Sequence, residues 1–237
     1  MTEPDKIPES LDRLQKLIGV SFRDSVHLLT AITHRSYLNE HREARQEHNE
    51  RYEFLGDAVL ELVVTDFLFG KYPERPEGEL TAIRAALVNT TSLSDVATNM
   101  NINEFLLLSK GEEKDTGRAR QYILANTFEA IIGAIYLDQG YDAARDFVGG
   151  HLFGKTDAIV AKQLWRDSKS RFQELAQEHS GITPSYETLG QSGPDHDRLF
   201  TVGVFLGSEK VAEGKGRSKQ EAEQLAAEAG MKAKSWD

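Results

Sequence analysis

The chain has 237 residues, 39% of them hydrophobic and 28% charged, enough for two folded units with their own cores and without the composition of a disordered protein. It has no cysteine, which excludes disulfides, zinc–thiolate sites and cysteine nucleophiles and fits a reducing, cytoplasmic setting. A formal net charge of −10 excludes a generally basic polyanion-coating protein, leaving local patches to be judged one by one.

The opening MTEPDKIPES carries acidic and polar residues where a secretion leader needs a basic start and an apolar run, so no leader is expected. Ser10 is placed to cap a helix over residues 10–17, ended by Gly19. Asp24 is placed to cap a second, running to about residue 37. Residues 39–49 are a polar charge run, expected as a loop or helix end. An apolar helix follows over 50–69. Asp57, Glu61, Thr65 and Asp66 interrupt it, so it is too charged to span a bilayer, and a soluble protein is expected. Residues 72–78 break the pattern with two prolines and a glycine. Helices are predicted over 79–88 and 92–100, a polar loop over 111–120, a buried helix over 121–138 ended by Gly140, and another over 142–153. The N-terminal region therefore reads as all-α, followed by a linker over 155–166.

The texture then changes. Residues 168–179 form one amphipathic helical pattern, and 186–189, 199–206 and 209–214 alternate as short strands. A closing helix over 218–234 has Ser218 as cap and Glu221 at the capping-box position. The order is α-β-β-β-α. Both regions are net acidic (19 basic and 26 acidic residues over 1–166, 9 and 12 over 167–237), yet Lys210, Lys215, Arg217 and Lys219 face only Glu213 within 210–220.

The segment NERYEFLGDAVL is the most informative. On a helix Glu50, Glu53 and Asp57 lie within about 60° of one another. Like charges sharing a face repel, and Asp57 sits in an apolar run, which suits a divalent cation held by carboxylate oxygens. The competing reading is a first-turn pair favoured by the helix dipole, with Asp57 paired to an arginine. Asn126 and Glu129, again three apart, are a second candidate pair, or else a satisfied buried polar pair. Glu77, in a Pro-Glu-Gly turn, reads by itself as a surface residue. His34 is expected at a helix end or in the core rather than as a general base.

This segment resembles the signature of the ribonuclease III family, and the resemblance extends along the chain. AITHRSY over 31–37 lies upstream, and EGEL over 77–80, RAALVN over 84–89 and ILANTFEA over 123–130 follow in the family's order. It implies an endoribonuclease that hydrolyses both strands of double-stranded RNA with magnesium, manganese being able to substitute. The products would be 5′-phosphate and 3′-hydroxyl ends with short 3′ overhangs, and rRNA-precursor and mRNA processing the expected roles. Glu53, Asp57, Asn126 and Glu129 would be metal ligands, with Asp57 and Glu129 catalytic and Glu50 and Glu77 as further acidic lining. Phe54 would insert into a second copy, so that a homodimer sets one site against each strand. At 126 the family usually has aspartate. Asparagine keeps the shape and an oxygen ligand but loses a charge, so metal affinity is expected to fall. The alternative is a double-stranded-RNA-binding scaffold whose cleavage Asn126 has weakened or abolished.

The C-terminal region resembles the double-stranded-RNA-binding domain, giving expected boundaries of 1–154 for the nuclease, 155–166 for the linker and 167–237 for the binding domain. Gln173 and Glu174 would meet ribose hydroxyls in one minor groove and His196 a second. Arg217, Ser218 and Lys219 would meet phosphates at the start of the last helix, although a solubilising loop is the plainer reading of that short charge run. Gln220 stands where the family often has another lysine, which would weaken binding without abolishing it.

Overall fold

The computed structural model describes residues 7–43, 46–161, 168–194 and 198–236. The chain divides into two compact units, residues 1–165 and 166–237.

The first unit is helical throughout: α1 (Ile7–Ile18), α2 (Ser25–Ala31), α3 (Arg35–Glu40), α4 (Glu50–Lys71), α5 (Glu77–Val88), α6 (Thr90–Asn99), α7 (Lys110–Lys114), α8 (Arg118–Gln139), α9 (Tyr141–Leu152) and α10 (Thr156–Ala161). In α8 an almost unbroken run from Ile123 to Ile135 is buried, so the helix is apolar nearly all round and must lie inside the bundle. Its main neighbour is α4, with α6, α2 and α9 packed on its other sides. Among the described residues no helix is long and apolar enough to cross a membrane.

Several predicted boundaries are corrected. The helix expected over 24–37 is two helices. Asp24 does cap α2, its carboxylate accepting from Val26 N–H at 2.9 Å. After Ala31 the backbone leaves the helix to pair with a distant segment: Thr33 bridges Leu107, Leu107 N–H donates to Ile32 O at 2.9 Å, and His34 N–H donates to Leu107 O at 3.0 Å. Periodicity cannot reveal a partner more than seventy residues away. Ser10 lies inside α1, which begins at Ile7. Lys110–Lys114 is a short helix capped by Ser109 within the expected loop. Glu77 begins α5 rather than sitting in a turn, because extended Pro76 sets the helix start just before it. The expected linker over 155–166 is helical from Thr156 to Ala161. Thr156 is buried, Ile159 and Val160 pack on the core, and Lys71 Nζ and Tyr72 Oη reach Asp157 at 2.6 and 3.2 Å.

The second unit contains α11 (Ser168–Ser180), β1 (Ser185–Ser192), β2 (Leu199–Leu206), β3 (Glu209–Gly216) and α12 (Lys219–Lys234). The strands form an antiparallel sheet in the order β1-β2-β3. Its core joins Phe172 and Ala176 of α11 to Val204 and Leu206 of β2 and Ala226, Ala227 and Met231 of α12. In Gly214-Lys215-Gly216 the glycines face α12 so closely that a Cβ on Gly216 would lie 2.6 Å from Ala222 N. The strand's alternation therefore turns Lys215 outward.

Candidate active site

Helices α4 and α8 cross at two glycines. A Cβ on Gly56 would overlap the carbonyl oxygen of Glu129, and one on Gly133 the carbonyl oxygen of Tyr52. Residue 52 opposite 133 and 56 opposite 129 means that the helices run antiparallel. The bare backbones come together there because neither glycine presents a side chain. Glu53 and Asp57, three residues before and one after Gly56 on α4, and Asn126 and Glu129, seven and four residues before Gly133 on α8, are consequently brought into one neighbourhood.

The electrostatics record that convergence. Burial pushes the Glu129 carboxyl up to about 8, and the charges of Asp57 and Glu53 add to the shift. Burial raises Glu53 as well; a hydrogen bond from Asn126 opposes the rise, and Glu50 and Asp57 reinforce it. Asp57 is solvent-exposed and has no arginine partner among the described residues. The nearby guanidinium of Arg84 binds Glu61 at 2.9 Å and Thr65 at 2.8 Å instead. That removes the reading in which an arginine neutralises Asp57.

Three carboxylates and a carboxamide, all oxygen donors, fit a small hard divalent cation, which would offset the burial and the carboxylate repulsion that raise Glu129. Among the described residues no three His, Asp or Glu side chains close on one point as a finished ligand sphere.

The other predicted residues are placed differently. Glu50 is exposed at the start of α4, within 3.3 Å of Arg35 and 3.8 Å of His48. Glu77 is exposed and accepts a hydrogen bond from Thr81 Oγ1 of its own helix at 3.0 Å. No interaction links it to the α4–α8 group among the described residues. His34 caps α3, its Nδ1 accepting from Ser36 N–H at 3.3 Å and lying 2.8 Å from Ser36 Oγ. Burial lowers its pKa. Phe54, next to Glu53, is 81% exposed.

In the second unit Gln173 and Glu174 lie with Gln177 and Glu178 along a shallow cleft on α11. Ser218 caps α12, accepting from Glu221 N–H at 3.1 Å, while the Glu221 carboxylate accepts from Arg217 N–H at 2.6 Å, one residue earlier than a standard capping box. Lys210 pairs with Glu213 at 2.5 Å, leaving Lys215, Arg217 and Lys219 as the exposed cations near the start of α12. His196 lies outside the described residues.

Sequence reasoning assigned no role to Gly56 and Gly133, or to Asn49 and Tyr122, which border the carboxylates. The available signals were glycines inside two long apolar helices and an exposed tyrosine four residues before Asn126.

Residues 24–156 match the family described as Ribonuclease-III-like, and residues 168–233 the Double-stranded RNA binding motif. Ribonuclease 3 of Carboxydothermus hydrogenoformans is 46% identical over 220 residues, covering 92% of this chain and 93% of that protein. Ribonuclease 3 of Nitratiruptor is 42% identical over 224 residues, covering 94% of this chain and 96% of that protein. Among solved structures, the nuclease domain of ribonuclease III from Campylobacter jejuni, described for flexibility in a region involved in dimer formation, is 38% identical. It covers 60% of this chain and 97% of that one, with a TM-score of 0.53.

Proposed function

The chain belongs to the ribonuclease III family, and from that premise we propose that it is a homodimeric endoribonuclease cutting both strands of double-stranded RNA with divalent metal ions. The observation that carries this reading is the convergence of Glu53, Asp57 and Glu129 beside the Gly56–Gly133 crossing, in a chain that also has the RNA-binding motif.

Glu53, Asp57 and Glu129 are the metal-holding carboxylates, with Asn126 as a neutral fourth donor. Magnesium, with manganese as a substitute, would supply an activated water and neutralise charge on the phosphate. Within the chain, burial favours the protonated form of Glu129 up to about pH 8, and a cation held there would favour its carboxylate, while Asn126 orients Glu53 through its carboxamide. Asp57 keeps an exposed carboxylate open to a cation arriving from solution. Glu50 and Glu77 remain candidates for the outer acidic lining. No covalent nucleophile is required, so 5′-phosphate and 3′-hydroxyl ends with short 3′ overhangs are the products we assign.

A second copy fits the outer stripe of α4. Phe54, Leu62 and Phe69, at 81, 57 and 72% exposure, fall within about 80° of the helix circumference. Such a strip costs solvation if left bare and is the surface we assign to the homodimer. Residues 1–161 would form the cutting unit, and 168–237 would grip duplex RNA through Gln173, Glu174, Arg217, Ser218 and Lys219. Cytoplasmic processing of rRNA precursors and mRNA is the role this activity suits.

The test is labelled duplex RNA incubated with magnesium, beside a Glu129→Gln variant. Cleavage by the parent alone, with 5′-phosphate ends, supports the reading; intact RNA with both, despite tight binding, replaces it with a binding scaffold. An Asn126→Asp variant should need less magnesium for half-maximal rate, by about tenfold or 1.4 kcal/mol.

A further inference from the structure

A cavity of about 350 Å³ opens beside the carboxylates, with His34, Asn49, Glu50, Glu53, Tyr122 and Asn126 in its wall. It is at the small end of ligand pockets, which run from roughly 300 to 1,000 Å³. Asn49 is only 3% exposed. It precedes α4, where asparagine ordinarily caps the helix by accepting from a backbone N–H. Here its backbone is already helical (φ −75°, ψ −12°), and its carboxamide makes no capping bond. The main chain of Asn49 is satisfied, its N–H donating to Thr33 O at 2.9 Å and its C=O accepting from Glu53 N–H at 2.8 Å. Its side chain has no hydrogen-bond partner among the described residues. Asn49 lines the cavity, so its unpartnered carboxamide is open there to a partner from outside.

Tyr122 faces the same space from α8, four residues before Asn126 and 50% exposed, and its hydroxyl also has no partner among the described residues. His34 accepts at Nδ1 from Ser36 N–H, which leaves a proton on Nε2 to donate. The wall thus offers neutral groups able to donate and accept, while Glu50 and Glu53 repel a phosphate. In a duplex the bases are stacked and paired, and the ribose hydroxyls are what a protein can reach beside the backbone. We infer that this cavity takes the ribose of a nucleotide adjoining the phosphate to be cut, with Asn49 and Tyr122 reading its 2′-hydroxyl. The site would then select RNA over DNA at the point of cleavage, independently of the C-terminal unit. This assignment rests on the hydrolytic role of Glu53, Asp57 and Glu129.

The experiment uses the full chain with magnesium and hairpin duplexes that differ by one 2′-deoxy nucleotide, walked through the positions around the cut. The parent should lose about tenfold in kcat/KM at one position per strand. Tyr122→Phe, which keeps the ring, and Asn49→Ala, with folding checked by thermal unfolding, should slow cleavage of the all-ribose duplex and remove most of that positional penalty. Duplex affinities in a Glu129→Gln background should show the same coupling without cleavage. Equal rates for the parent on every singly deoxy duplex, as expected if the cavity holds only water, overturn the proposal. So does a penalty undiminished in Tyr122→Phe, whether or not Asn49→Ala folds. An all-ribose duplex that the parent leaves intact overturns the hydrolytic reading, and this assignment with it.

Discussion

Gly56 lies against the carbonyl oxygen of Glu129 so closely that even one added methyl would overlap it. A main-chain contact between two long helices therefore fixes the distance between the carboxylates that each helix contributes.

Gly56→Ala should accordingly be severe. The methyl meets backbone rather than a movable side chain, so the loss should reach or exceed about 3 kcal/mol, the upper part of the overpacking range. Gly70→Ala, on the same helix with nothing within 4 Å, should be neutral or stabilise by up to about 1 kcal/mol. Urea unfolding of both variants checks the contrast, and equal effects would mean that the crossing can relax.

Stability without metal should depend on Glu129. Its folded pKa, near 8, exceeds the ordinary carboxylate value of 4.5. The folded chain therefore keeps a proton that the unfolded chain releases, and this contribution is complete below about pH 4.5 and lost as pH rises through 8. Relative to Glu129→Gln, the metal-free parent should lose stability across that window, by at most about 1.4 kcal/mol per pH unit. Magnesium should restore it. Parallel melting curves for parent and variant from pH 5 to 8.5 would contradict the assignment.

Phe54→Asp should convert the dimer to monomer while leaving the fold intact, since the ring is 81% exposed. A charge at the centre of an apolar interface is expected to cost at least 2 kcal/mol of association, readable as a sedimentation shift. An unchanged sedimentation coefficient would place the dimer surface elsewhere.

Lys219→Ala and Arg217→Ala should each weaken binding to all duplexes alike and flatten the plot of log affinity against log salt by about one unit of slope. Loss of a structural contact instead would lower affinity without altering the slope.

Trp236 closes the second unit, its ring 5.5 Å from Phe172 and 5.1 Å from His179 between centroids. Two aromatic contacts at about 0.5–1.5 kcal/mol each predict that Trp236→Ala destabilises this unit by about 1–3 kcal/mol. Thermal unfolding should show the effect on the C-terminal transition, and no change there would mean that the ring packs only loosely.

The amino-acid order determined a good deal alone. Local rules set the long apolar helix carrying Glu53 and Asp57, the one carrying Asn126 and Glu129, and the α-β-β-β-α order closed by the Ser218 cap, because periodicity and capping act over one or two turns. The ordered motifs from NERYEFLGDAVL to ILANTFEA carried the family likeness. Non-local contacts decided the rest. The helix break before His34 exists because Thr33 pairs with Leu107; Thr156–Ala161 is helical because Thr156, Ile159 and Val160 find the core; and Glu77 starts α5 behind an extended Pro76 rather than sitting in a turn. The closeness of Glu129 to Asp57 and Glu53, and the cavity that Asn49 shares with Tyr122, depend on two glycines meeting across seventy-seven positions of sequence. Periodicity can place a residue on a face, but only packing brings two faces together.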